Sequence, residues 1–164
     1  MITFGIDPGM SGAIVGLSDG GNVIFACAAD DKSGGYCRAG QIDAKAIRGF
    51  IDFAAQAGPV RIVIEQQQCR PMEGRTSILK IGKNWGTIIG ACHGYPVLEP
   101  IASVWTRAIL GSKTWDTQAE KKDATIAFVQ RRLPSLDLVL QGRRTPHDGL
   151  ADAACLAMWG MSQP

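Results

Sequence analysis

The sequence contains no uninterrupted apolar run of about 18 residues, the length a membrane-spanning helix needs. It has no Cys-x-x-Cys pair. Its five cysteines (Cys27, Cys37, Cys69, Cys92 and Cys155) are odd in number and widely spaced, which argues against a zinc site or a disulfide scaffold and for small buried hydrophobes. No basic leader followed by a long apolar stretch opens the chain, because Asp7, Pro8 and Gly9 interrupt it. Internal repeats, low-complexity tracts and linkers are also missing. With 46% hydrophobic and 20% charged residues, the composition excludes a disordered tail, a collagen-like fibre and a coiled coil. At 164 residues the chain is expected to form one domain, residues 1–164, with a core large enough to need no staple. The expectation is an intracellular protein with no membrane association.

Charge is more informative split than summed. The net value is +2, but residues 1–60 carry 4 basic and 6 acidic side chains, whereas residues 61–164 carry 13 basic and 9 acidic. Arg70, Arg75, Lys80 and Lys83 form one basic cluster, opposed in sequence only by Glu73, and Arg131, Arg132, Arg143 and Arg144 bracket another. Such clusters suit solvated helix faces or contacts to phosphate.

Three short apolar runs, at residues 2–6, 13–17 and 22–28, are joined by Gly-rich turns and predict an antiparallel meander. A polar Gly-rich loop is expected over 30–40. Helical spacing follows over 42–57, stopped by Gly58-Pro59, and Val60–Ile64 reads as a central strand covered on both faces. Further on, helices are expected over 76–92, 102–110, 117–133 and 148–161, with a brief strand at 96–98 and a basic loop at 142–146. A Thr117-x-x-Glu120 capping box marks one helix start. The order is a meander followed by strands alternating with helices: one mixed α/β sheet.

Four acids stand out. Asp7 and Glu65 each end a buried strand, so if those strands are neighbours the two carboxylates converge and repel unless a cation separates them. Asp148 and Asp152 are four residues apart and share one face of the last helix, and the residues around Asp152 are small enough to let that helix approach a sheet. Each acid also has a plainer reading: Asp7 as a turn residue, Glu65 as a surface acid, Asp148 as a helix cap. Together they form an all-oxygen donor set that suits Mg²⁺ or Mn²⁺ and not zinc. No Ser, Tyr or Cys has a basic partner in sequence, so no covalent intermediate is expected.

The segment Phe4-Gly5-Ile6-Asp7-Pro8-Gly9-Met10-Ser11-Gly12, with Ile62-Val63-Ile64-Glu65-Gln66 and His147-Asp148-Gly149-Leu150-Ala151-Asp152-Ala153, resembles the RuvC family of Holliday-junction resolvases, its compact phage-type members above all. The resemblance runs in the same order over nearly the whole chain. It implies a ribonuclease-H-like five-stranded sheet flanked by helices, a homodimer, two Mg²⁺ per active site (Mn²⁺ substituting), and paired nicks in four-way or related branched DNA. It places the protein in the cytoplasm of a bacterial or phage-infected cell. Asp7, Glu65 and Asp152 would then be metal ligands, with Asp148 as the fourth and His147 as an auxiliary candidate. Where the family carries a lysine near Val104-Trp105-Thr106-Arg107, this chain has Thr106 and Arg107, so Arg107 is assigned to phosphate. Lys121 or Lys122 fills a second basic position, Lys121 as catalytic and Lys122 as DNA-binding, beside Arg70, Arg75, Lys80 and Lys83. The apolar residues Cys69, Pro71 and Met72 are the wedge candidates after Glu65. The helix bearing Ile78, Ile81, Trp85 and Ile88 suits either a dimer contact or plain core. Three rival readings stand beside this one: a junction-binding protein that does not cut, an RNA-processing nuclease of the same superfamily, and an actin-like ATP-using fold, against which chain length argues.

Overall fold

In the computed structural model, which describes residues 1–68, 74–112 and 114–164, the elements follow in the order β1 (Ile2–Asp7), β2 (Ala13–Ser18), β3 (Val23–Ala28), β4 (Cys37–Arg38), β5 (Gln41–Ile42), α1 (Ala44–Ala55), β6 (Val60–Ile64), α2 (Arg75–Ala91), β7 (Val97–Leu98), α3 (Ala102–Leu110), α4 (Gln118–Arg132) and α5 (Asp148–Met161). The main sheet has five strands in the order β3-β2-β1-β6-β7. Strands β1 to β3 form the antiparallel meander, while β6 pairs parallel to both β1 and β7. Strand β1 is central because both of its faces are covered, and so is β6, where Ile62, Val63 and Ile64 are all fully buried.

Side chains alternate across the sheet and divide the interior in two. Phe4, Ile6, Ile62 and Ile64 point to one side, where Ile47 and Ile51 of α1 and Ile88 of α2 cover them. Val15, Leu17 and Val63 point to the other, where α5 lies with Ala153, Ala154 and Ala157, flanked by Trp105 of α3 and Val129 of α4. Helix α5 runs back along β1. Its Gly149 end abuts Ser11, and its Gly160 end abuts Thr3 and Val63. The Arg61 guanidinium of β6 donates to the backbone oxygens of Gly160 (2.9 Å), Gln163 (2.7 Å) and Pro164 (2.7 Å), tying the end of α5 and the residues after it to the sheet.

The Gly-rich loop expected over 30–40 ends in the β4–β5 hairpin, turned by Ala39 and Gly40 at φ 49° and 75°. Its anchor is Tyr36, fully buried in the α1–α2 core. Helix α1 starts two residues later than expected, because Ile42 belongs to β5 and the Asp43 carboxylate caps the helix by accepting from the Ala46 N–H at 3.0 Å. In α2, Ile88 is core and Trp85 packs against it, whereas Ile78 and Ile81 are half-buried and join neither core cluster. The described helices include none long and apolar enough to cross a membrane.

Candidate active site

Parallel pairing in the register Ile6↔Ile64 places Asp7 and Glu65 side by side at the carboxyl ends of β1 and β6, and the Glu65 N–H donates to the Ile6 carbonyl (3.2 Å). Alternation from Thr3 and Gly5, and from Arg61 and Val63, puts both carboxylates on the face that α5 covers. Asp148 and Asp152 lie one turn apart at the start of α5, the end that abuts the loop after β1. The four acids therefore come from two strand ends and one helix, as the sequence predicts, and all four are half-buried.

Their partners differ. Asp7 Oδ1 accepts from the Gly9 N–H at 3.3 Å, a local turn bond. Glu65 Oε2 accepts from Trp105 Nε1 at 2.8 Å, and Asp148 Oδ2 is ion-paired with Lys122 Nζ. The Asp152 carboxylate has no hydrogen-bond or ion-pair partner among the described residues. Burial, then the Glu65 charge, pushes Asp7 up to about 7. Burial, then the Asp7 charge, does the same to Asp152, also to about 7. Glu65 is raised by burial against the opposing pull of Trp105 and Lys121. Burial is the largest single effect on Asp148 and acts upward, but the hydrogen bond and the charge of Lys122, with the Gly149 N–H, together hold it below the ordinary carboxylate range.

Among the described residues, no group of three or more His, Cys, Asp and Glu side chains is drawn together tightly enough to hold one ion. Two of the four acids are engaged elsewhere, Asp148 with Lys122 and Glu65 with Trp105. The donor chemistry nevertheless fits a hard divalent cation: four carboxylates, no sulfur, and an Asp7–Asp152 pair whose charges repel in a part-buried site. A pH effect follows. Asp7 and Asp152 keep their protons in the folded chain to about pH 7, while the unfolded chain releases them near the ordinary value of 3.8. The native state then binds more protons across that window, so metal-free stability falls as pH rises from about 4 through about 7. Melting curves in chelator across this range should show the decline, and Mg²⁺ should flatten it. Stability that rises with pH there would contradict the arrangement.

Basic side chains flank the acids on two sides. Lys80 lines a cleft of about 300 Å³ with Pro8, Gly9, Met10, Gln67 and Asn84, immediately beside Asp7. Arg107 and Lys121 line another, of about 400 Å³, with Ser103, Thr106 and Ser112. Lys121 Nζ sits 5.1 Å from the centre of the Trp105 ring. Arg75, Lys83 and Lys122 are exposed, Arg75 and Lys83 on α2 and Lys122 on α4.

No protein-family model matches the chain, and no curated protein matches it. Among solved structures, T. thermophilus RuvC in complex with Holliday junction substrate aligns with a TM-score of 0.62 at 15% identity, covering 97% of this chain and 91% of that one. A second Thermus thermophilus RuvC structure aligns at 0.59 with 19% identity, over 97% and 92% of the two chains. The fold is that of RuvC. On that ribonuclease-H-like frame the antiparallel meander, the parallel addition of β6 and β7 and the covering helix α5 stand in the order expected from sequence.

The remaining sequence candidates fall out unevenly on the RuvC frame. Arg70, the wedge candidates Cys69, Pro71 and Met72, and Glu73 lie outside the described residues. His147 is 5% exposed and serves as the cap of α5: its Nδ1 accepts from the Leu150 N–H (3.2 Å), while Nε2 meets Asp30 Oδ1 at 3.1 Å. Both ring nitrogens are thereby occupied, which gives the cap to His147 rather than to Asp148 and leaves His147 no free nitrogen for a metal. Asp30 also pairs with Arg143, tying the basic loop before α5 to the end of β3. Sequence reasoning missed Asp30 and the bond from Trp105 to Glu65. A buried indole must find an acceptor, which is a usable signal, but nothing local says that the acceptor lies 40 positions away.

Proposed function

We propose that this chain is a divalent-metal-dependent endonuclease that resolves Holliday junctions and related branched DNA by paired phosphodiester hydrolysis. The observation that supports it is the meeting of Asp7 and Glu65 at the ends of adjacent parallel strands, under a helix that carries Asp148 and Asp152, on a RuvC fold. Asp7, Glu65, Asp148 and Asp152 would hold Mg²⁺, with Mn²⁺ substituting and two ions per site. Such ions supply an activated water and neutralise charge on the scissile phosphate.

The chain's own groups do the rest. Asp7 and Asp152 present carboxylate oxygens that have little else to bind. Lys121, beside Trp105 and Glu65, offers positive charge where charge develops on the phosphate. Arg75, Lys80, Lys83, Arg107 and Lys122 hold neighbouring backbone phosphates and set the strand over the acids. Because a four-way junction is two-fold symmetric, two copies of the chain would make the two nicks, one each.

A second reading is a junction-binding protein that does not cut, and the ion pair between Asp148 and Lys122 favours it. The test is incubation with labelled four-way DNA, linear duplex and structured RNA in Mg²⁺ or Mn²⁺. Paired nicks in the junction with duplex spared support the resolvase. Binding without nicks in either metal supports the second reading, and preferential cutting of RNA points to an RNA-processing nuclease.

A further inference from the structure

We propose that Trp105 is a positioning residue of this site: its indole fixes Glu65 through one oxygen and seats Lys121 beside it, so that the other Glu65 oxygen is presented to the cation. The inference rests on the metal-dependent reading above and concerns a residue outside the four acids. Trp105 is 0% exposed, the largest fully buried side chain among the described residues, and it sits on α3 rather than on any of the three elements that position the acids. A buried indole has one polar hydrogen and needs one acceptor. Here that acceptor is Glu65 Oε2 at 2.8 Å.

The chemistry of the donor matters. An indole N–H donates only, so it cannot ligate a cation or compete with Glu65 for one. Being neutral, it orders the carboxylate without cancelling the negative charge that attracts Mg²⁺. A lysine reaching the same oxygen would cancel it, as Lys122 does at Asp148. The face of the same ring holds Lys121 Nζ at 5.1 Å, an attraction that keeps the ammonium beside Glu65 without a direct ion pair between them among the described residues. One rigid, buried ring thus sets the places of an acid and a base that belong to different elements. Groups that orient ligands from outside the coordination sphere typically change metal affinity by about 10–100-fold when removed.

The experiment follows the four indole N–H resonances of the intact chain by ¹H–¹⁵N NMR during a Mg²⁺ titration, with calorimetry as an independent measure of binding. Trp105→Phe identifies the Trp105 signal; should that variant not fold, Trp85→Phe, Trp115→Phe and Trp159→Phe identify it by elimination. The expected result is a saturable shift of the Trp105 signal in parallel with calorimetric binding. The shift should be lost in Glu65→Gln, and Mg²⁺ affinity should fall about 10-fold or more in Trp105→Phe with its melting transition still cooperative. If Mg²⁺ binds by calorimetry while the Trp105 signal stays still, or if Trp105→Phe binds Mg²⁺ as tightly as the parent, the positioning role is overturned and the metal site stands. If no Mg²⁺ or Mn²⁺ binds at all, both fall.

Discussion

Asp7→Asn is expected to remove about 10³-fold or more of the rate of nicking in a four-way junction, since the several kcal/mol that a bound cation contributes correspond to a factor of that size. The same substitution should make the metal-free protein more stable at pH 8. Both effects come from one feature. Asp7 is a part-buried carboxylate pushed up to about 7 by burial and by the neighbouring Glu65, so at pH 8 it carries a charge that the fold disfavours. Asparagine keeps the shape and can still accept from the Gly9 N–H that now reaches Oδ1 at 3.3 Å. It removes the charge and its repulsion, a gain of about 2 kcal/mol after discounting for partial exposure, or roughly 4–8 °C in melting temperature for a chain of this size. A damaged fold would lower activity and stability together. Loss of cutting with a raised melting temperature therefore separates a site of function from a site of structure. Asp7→Asn that cuts normally, or melts below the parent without metal, would remove Asp7 from the proposed site.

Most of the frame was legible because its signals are local. The meander showed as three apolar runs between Gly-rich turns, β6 as an unbroken apolar run, and five helices by their spacing, caps or composition. The acids were legible for a related reason: Asp7 and Glu65 follow strands whose burial is evident, and Asp152 stands among alanines. What stayed hidden depends on contacts between distant segments. The β4–β5 hairpin carries too few apolar residues to announce itself, and it is held by the buried Tyr36 beside it and by Cys37 and Ile42 packed against the same core. Capping of α5 looked like a choice for Asp148 until His147 was seen tied to Asp30 from the end of β3. The pairings of Lys122 with Asp148 and of Trp105 with Glu65 decide which carboxylates remain open to a ligand, and neither pairing leaves a mark on the spacing of residues.

Gly5→Ala should be the most damaging single methyl in the molecule, costing at least about 3 kcal/mol, near the upper end for an overpacked core. Gly5 lies in the middle of β1 on the face against α5. A Cβ there would stand 2.0 Å from the Ala153 carbonyl oxygen, 2.4 Å from the Ala157 nitrogen and 2.9 Å from Leu156 Cβ. Two of those three are backbone atoms and cannot rotate away, so the helix itself must lift from the strand. Lifting α5 carries Asp152 away from Asp7 and opens the packing around Cys155, Leu156 and Ala157, which are fully buried. The melting temperature should fall by roughly 6–12 °C, and Mg²⁺ affinity should fall with it even at temperatures where the variant is folded. Gly49→Ala is the contrasting case. Gly49 lies on the exposed side of α1 with nothing within 4 Å of its would-be Cβ, so alanine should stabilise by about 0.5–1 kcal/mol through helix propensity alone. Calorimetric melts and Mg²⁺ titrations of the two variants beside the parent decide the matter. If Gly5→Ala melts with the parent and binds metal equally well, α5 does not lie as close to β1 as the strand's missing side chain requires, and the acids on the two elements are not held together by that approach.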